Sequence, residues 1–297
     1  MKQIPLMVTT EWLEKRLNDS DLCVIDATMF METPESGGPT TICSGKESYQ
    51  KGHIPGSIYI NLLNDLSDPE ASLPFTVPPR SYFIREMAKR GIGDGKLTVI
   101  YDQGTVLGES IGASYWASRL AWQMKYEGFD NIAILDGGIL KWKKENRPLT
   151  TIPGVYKPVH YTGQRRTKLL ATKEDVKQAI HDDQTILINS LSPEDYKGES
   201  DTYARKGHIP TSVNMYFAEH ADNQTKEIYV DAILREQFEK TGALNPDKKV
   251  ITYCGGGIAA TWTALMLNKL GQKNVAIYDG SLNEWASDPN CSLIKES

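Results

Sequence analysis

Three short words occur twice in this chain, in the same order, and that repetition limits its architecture more than any other property of its 297 residues. Lys51-Gly52-His53-Ile54-Pro55 returns letter for letter as Lys206-Gly207-His208-Ile209-Pro210. Asn131-Ile132-Ala133-Ile134-Leu135-Asp136-Gly137-Gly138, followed by Trp142, returns as Asn274-Val275-Ala276-Ile277-Tyr278-Asp279-Gly280-Ser281, followed by Trp285. Between them, Leu97-Thr98-Val99-Ile100-Tyr101-Asp102-Gln103-Gly104 matches Lys249-Val250-Ile251-Thr252-Tyr253-Cys254-Gly255-Gly256. Ordered blocks of this kind imply two copies of one folding unit. The length suits two domains, each able to bury its own core.

Within each copy, β-branched runs alternate with amphipathic stretches. The first half reads as strands over Cys23 to Asp26, Ser57 to Ile60, Leu97 to Tyr101 and Ile132 to Leu135. Helices are expected near Pro79 to Arg90, over Glu109 to Trp122 and over Ile139 to Lys144. The second half gives strands Thr185 to Ile188, Val250 to Tyr253 and Val275 to Tyr278, with helices Asp231 to Thr241 and Ile258 to Leu270. This alternation predicts α/β domains, each a mainly parallel sheet flanked by helices. Residues 150–168 contain Pro153, Gly154, Pro158 and Gly163 without a sustained period, and read as a linker between an N-terminal domain (1–149) and a C-terminal domain (169–297).

Cys254 ends a short β-branched strand and enters three glycines that lead into a helical pattern. Glycine reaches φ > 0 without steric cost, so Gly255, Gly256 and Gly257 can turn successive N–H groups inward as an anion-binding nest. The following helix adds its N-terminal partial charge, and both effects favour a thiolate. Ligands of parallel sheets bind beyond the carboxyl ends of the strands, where Cys254 is expected. Asp102 holds the same place in the first copy, so only the second copy can perform cysteine chemistry.

The remaining cysteines are Cys23, inside an apolar run, and Cys43 and Cys291, in loop-like surroundings. None forms the C-x-x-C or Cys/His spacing of a zinc site, and no metal or other cofactor is expected. A formal charge of −5 argues against a nucleic-acid surface. The first ten residues lack a secretory pattern and no window reaches membrane-spanning length, so a cytoplasmic protein with free thiols is the expectation.

On these residues the chain resembles the two-domain rhodanese family, the thiosulfate and 3-mercaptopyruvate sulfurtransferases. The resemblance rests on the two Gly-His-Ile-Pro blocks, on Leu135-Asp136-Gly137-Gly138 with Trp142, and on Cys254-Gly255-Gly256-Gly257-Ile258-Ala259-Ala260 in place of the active-site loop. It implies tandem rhodanese-like domains with a silent N-terminal copy. It further implies that Cys254 takes sulfur from a small anionic donor as a persulfide and passes it to a thiol or cyanide, with thioredoxin among the candidate acceptors. The N–H groups from Gly255 through Ile258 to Ala259 would hold that anion. Double displacement gives ping-pong kinetics.

Departures from the family pattern leave the donor open. Basic residues that follow the cysteine in thiosulfate-preferring members are absent from Gly255 and Gly256. The two arginines of the mercaptopyruvate-preferring members fall on Leu191 and Asp195, their serine on Gly256, and their histidine and aspartate on Asn61 and Ala71. Arg205, beside Lys197 and Lys206, is the nearby cation assigned to donor binding. Two other readings stand beside the enzyme: a cysteine phosphatase, disfavoured because Gly255 to Ala260 contains no arginine, and a non-catalytic rhodanese-like binding or regulatory module.

His53 and His208 occur in both copies, including the one without a nucleophile, and are read as structural. Asp136 and Asp279 are expected to cap the helices that follow them, and Trp142 and Trp285 to anchor the cores. Gly104-Thr105-Val106-Leu107-Gly108 has the outline of a phosphate loop without its lysine and hydroxyl.

Overall fold

The computed structural model describes residues 4–32, 41–104 and 111–296. The chain divides into two compact units. The first comprises Met1–Pro69, Val77–Arg165 and Ala221–Ile228, and the second comprises Glu70–Thr76, Arg166–His220 and Tyr229–Ser297.

In the first unit the strands are β1 (Met7–Val8), β2 (Leu22–Asp26), β3 (Met29–Glu32), β4 (Thr41–Ser44), β5 (Ser57–Tyr59), β6 (Leu97–Tyr101) and β7 (Ile132–Leu135). In the second they are β8 (Leu170–Ala171), β9 (Thr185–Asn189), β10 (Val213–Asn214), β11 (Lys249–Tyr253) and β12 (Val275–Tyr278). The first sheet runs β1-β7-β6-β2-β5, and the second, read from its other edge, runs β8-β12-β11-β9-β10. All pairings within both are parallel. The sequence repeat is therefore a repeat of topology, with β6 and β11 as equivalent central strands. β3 and β4 form a separate antiparallel hairpin, which places Cys43 in a strand opposite Phe30 rather than in a loop.

Alternation along the strands builds the cores. Leu22 and Val24, Val99 and Tyr101, and Ala133 and Leu135 project to one face of the first sheet and pack with Ile54, Ile139 and Trp142. Ile251 and Tyr253, with Ala276 and Tyr278, do the same in the second, against Ile209, Leu282 and Trp285. Both tryptophans are buried and donate through their indole N–H, to Pro148 O and Ser292 O at 2.8 Å. They anchor the cores as their repetition suggests.

The repeated histidines also serve the fold. His53 stacks on Tyr49 with ring centroids 3.7 Å apart, and His208 on Tyr196 at 3.8 Å. Each Nδ1 bonds the carbonyl of its tyrosine, at 2.7 and 2.8 Å. Each backbone exchanges a bond pair with a distant segment, His53 with Thr150 and His208 with Ile294. The histidine thus pins the chain that closes its own unit.

Several expectations need adjustment. The helix expected over Glu109 to Trp122 runs Tyr115–Tyr126, and its expected start falls outside the described residues, as does most of the 104–108 segment. The helices Gly138–Lys144 and Ser281–Trp285 carry no side-chain cap bond. The Asp136 carboxylate instead accepts the Ile228 N–H at 2.9 Å. The segment read as a linker lies along the first unit as far as Arg165: Gly154 N–H donates to Ser57 O at 2.8 Å, and the Tyr156 hydroxyl both donates to Gly56 O and accepts the Val24 N–H. Its Pro/Gly composition prevents a regular element without preventing these bonds.

Candidate active site

Cys254 stands immediately after β11, the middle strand of the second sheet. Burial leaves it 2 % exposed, while Gly255 and Gly256 are partly accessible. The loop 254–258 closes onto the helix Ala259–Lys269, with Gly257 at φ 73°. That left-handed conformation is the one place in the loop where glycine is required by backbone geometry.

The base of the loop is held by the next helical turn of the repeat. Leu282 N–H donates to Cys254 O at 3.0 Å and Asn283 N–H to Gly255 O at 2.9 Å. The Ser281 hydroxyl accepts the Cys254 N–H at 3.1 Å and donates to Tyr278 O at 2.7 Å. Ser281 adopts φ 49°, a conformation a serine holds only under constraint, and those two bonds supply it. Sequence reasoning passed over Ser281, although the aligned repeat offers a signal: Gly138 holds the same place in the first unit, at φ 53°.

Two neutral polar groups lie against the glycines. A Cβ added to Gly255 would stand 2.4 Å from the Tyr203 hydroxyl, and one added to Gly256 would stand 3.1 Å from Asn283 Nδ2. Burial, with the Cys254 and Asp195 charges adding to it, pushes the Tyr203 phenol well above the usual tyrosine range, so it is neutral at physiological pH. Among the described residues, the N–H groups of Gly255, Gly256 and Ile258 donate to no carbonyl or side chain. They are available to an anion at the mouth of the loop.

The expected donor-binding cation is committed elsewhere. Arg205 Nε donates to Ala286 O at 2.8 Å, and its Nη2 reaches Trp285 O at 3.1 Å, Asp288 O at 2.5 Å and Cys291 O at 2.8 Å. These bonds make Arg205 an anchor of the C-terminal segment, a correction to its assignment as a donor ligand. Lys206 pairs with Asp201 at 2.8 Å. Leu191 packs against the core cluster, and the Asp195 carboxylate accepts the Ser200 hydroxyl.

Asp102, after β6, shows what the same strand end becomes without a thiol. Its carboxylate accepts the Ala117 N–H at 2.8 Å and so caps the first turn of the helix Tyr115–Tyr126. Burial raises it to about 7. Elsewhere, Cys23 is buried against Gly91 O, and its thiol is pushed up to about 11 by burial. Burial also raises Cys291. Among the described residues no cluster of three His, Cys, Asp or Glu side chains is placed to hold a metal ion, and no helix is long and apolar enough to cross a membrane.

Comparison with known proteins places this geometry. The chain is 28% identical over 320 residues to thiosulfate/3-mercaptopyruvate sulfurtransferase 2 of Arabidopsis thaliana, covering 98% of this chain and 87% of that protein. It is 29% identical to the thiosulfate sulfurtransferase of Mus musculus, over 94% of this chain and 91% of the relative. The crystal structure of SseA from Escherichia coli, a 3-mercaptopyruvate sulfotransferase with the rhodanese fold, superposes with a TM-score of 0.78 at 26% identity, covering 94% of this chain and 99% of that one. The rhodanese-like domain model matches residues 9–145 and again 172–288, each span enclosing one parallel sheet from its second strand to its last. With that match over most of its length, the chain belongs to the rhodanese-like domain family, in which it carries the domain twice.

Proposed function

We propose that the protein is a sulfurtransferase that carries sulfur as a persulfide on Cys254. The observation that supports this best is the contrast between the two strand ends: after β11 a thiol beside the Gly255, Gly256 and Ile258 N–H groups, unpartnered among the described residues, and after β6 a helix-capping carboxylate. In the first half-reaction the Cys254 thiolate attacks the outer sulfur of the donor and forms an S–S bond. Thiosulfate then loses its S–S bond and leaves as sulfite. A mercapto-acid such as 3-mercaptopyruvate loses its C–S bond, and the carbanion takes up the thiol proton to become pyruvate. In the second half-reaction the acceptor takes the outer sulfur and the Cys254 thiolate returns. Cyanide would leave as thiocyanate, and a thiol, that of thioredoxin or glutathione included, as a persulfide.

The loop N–H groups of Gly255, Gly256 and Ile258 suit the negative charge that sits on the outer sulfur between the two steps. No side-chain base is needed, because the thiolate is itself the nucleophile. Both donor types remain open, since the relatives' names include each. Four free cysteines suit a reducing compartment, the cytoplasm.

The test is sulfur loading. Incubation with thiosulfate or 3-mercaptopyruvate, followed by intact-protein mass spectrometry, should add one sulfur to the wild type and none to Cys254→Ser. Cyanide should then release that sulfur as thiocyanate. A folded wild type that takes up no sulfur from either donor would point instead to a non-catalytic binding module, the reading favoured by Leu191 and Asp195 at the positions where mercaptopyruvate-preferring members carry arginines.

A further inference from the structure

Beside the loop stands a residue that neither the repeat nor the loop sequence announces. Tyr203 comes from the segment between the helix Pro193–Lys197 and Gly207, and it packs partly buried against the core of the second unit. Among the described residues its hydroxyl bonds no carbonyl or side chain. An added Cβ on Gly255 would meet that hydroxyl at 2.4 Å and the ring carbons Cε1 and Cζ at 3.1 Å. The edge of a packed aromatic ring cannot yield as a lysine tip can, so any side chain at position 255 must displace the ring.

Two consequences follow for a ligand at the loop. No basic side chain can grow from position 255 while the phenol is there. The group that takes that space is a neutral donor with an unused hydrogen bond, and the Asp195 carboxylate adds its negative field to that of Cys254 there. Arg205 and Lys206 are held by their own partners. A dianion leaving water here loses two charges' worth of hydration and gains neutral hydrogen-bond donors from the loop and Tyr203, whereas a singly charged donor loses far less.

We propose that Tyr203 selects the sulfur donor: its phenol fills the space beside Gly255 and donates one hydrogen bond there, favouring a singly charged mercapto-acid over the thiosulfate dianion. The inference rests on the sulfurtransferase reading above. Tyr203 acts as a specificity-determining residue that touches the donor, and Cys254 performs the chemistry.

The experiment compares 3-mercaptopyruvate with thiosulfate on the wild type and on Tyr203→Phe, which keeps the ring and removes only the hydroxyl. The substitution should lower kcat/KM for 3-mercaptopyruvate about tenfold, mostly through KM, and leave thiosulfate within about twofold. In parallel, Gly255→Ala should lower the Tm of the wild type and cost much less in a Tyr203→Ala background, a coupling that needs no turnover to be read. A wild type that loads sulfur, with the same donor ratio in Tyr203→Phe, overturns donor selection alone. A wild type that never loads sulfur overturns the sulfurtransferase reading and donor selection together. If Gly255→Ala is equally costly in both backgrounds, Tyr203 does not hold the space beside the loop, and the proposal falls on that ground too.

Discussion

Asp102 and Cys254 occupy one position in two copies of the same sheet. The Asp102 carbonyl accepts the Ile139 N–H at 3.1 Å, and the Cys254 carbonyl accepts the Leu282 N–H at 3.0 Å, so the backbone is shared while the chemistry is not. In the first unit the side chain is a buried carboxylate that bonds a helix start; in the second it is a thiol beside the N–H groups of Gly255, Gly256 and Ile258, which bond no carbonyl or side chain among the described residues. A carboxylate at the helix terminus satisfies locally what the thiol site leaves for a ligand.

That difference makes the first unit sensitive to alkali. Burial raises Asp102 to about 7, well above an unfolded aspartate, so the native state holds its proton more tightly. The stabilisation is complete below about pH 4 and is lost as pH rises through about 7. Asp102→Asn keeps an acceptor for the Ala117 N–H and abolishes the titration. The variant should match the wild type in thermal unfolding at pH 4 and exceed it at pH 8, by up to about 4 kcal/mol. Equal stability at pH 8 would mean that the carboxylate is better solvated than its burial indicates.

Ser281 offers a test of the loop that leaves Cys254 intact. Removing its hydroxyl strands the Cys254 N–H and keeps the φ 49° conformation. Ser281→Ala should therefore cost about 1–3 kcal/mol of stability. It should also slow sulfur loading about tenfold, because the base of the loop is no longer fixed. Ser281→Gly relieves the backbone conformation and loses the same bonds, so it should be the more stable of the two variants and equally slow. A loading rate unchanged in both would show that the loop holds its shape without this hydroxyl.

Arg205 separates an anchor from a ligand. Arg205→Ala removes four bonds to the carbonyls of Trp285, Ala286, Asp288 and Cys291, and should cost about 3 kcal/mol, visible as a lower Tm. KM for either donor should stay within about twofold in the folded variant. A large rise in KM without loss of stability would restore Arg205 to the donor site.

How far the sequence carried each of these conclusions depended on whether the signal was local. β6, β7 and β12 have the predicted bounds because β-branched residues fill them and polar or glycine residues follow at once. β1, β8 and β10 span two residues each, too few for any period, and exist only through their parallel partners. Cys254 was legible because glycine marks a strand end that must bend. Ser281 was within reach, since the repeat sets it against Gly138. Tyr203 was not: it lies far upstream of the loop in a segment with no periodicity, and only the folded chain brings its hydroxyl to Gly255. Arg205 misled for the same reason, because a sequence displays the guanidinium and hides the carbonyls it meets.

The second unit carries a titration of the opposite sign. His220 is fully buried, with its ring 5.0 Å from that of Phe238, its Nδ1–H donating to Gln237 Oε1 at 3.2 Å and its Nε2 without a hydrogen-bond partner among the described residues. Burial lowers it to about 4. The unfolded chain binds a proton near pH 6.5 that the native state refuses until about pH 4, so stability present above pH 6.5 is lost as the pH falls across that window. At pH 4 the loss amounts to about 3 kcal/mol. His220→Phe keeps a ring against Phe238 and removes the titration, so it should flatten the acid limb of the unfolding curve while changing little at pH 8. Acid should therefore weaken the second unit through His220 under the conditions that relieve Asp102 in the first. Circular dichroism melts of wild type, His220→Phe and Asp102→Asn across pH 4 to 8 would resolve the two contributions; an acid limb in His220→Phe as steep as that of the wild type would assign the acid sensitivity to other groups.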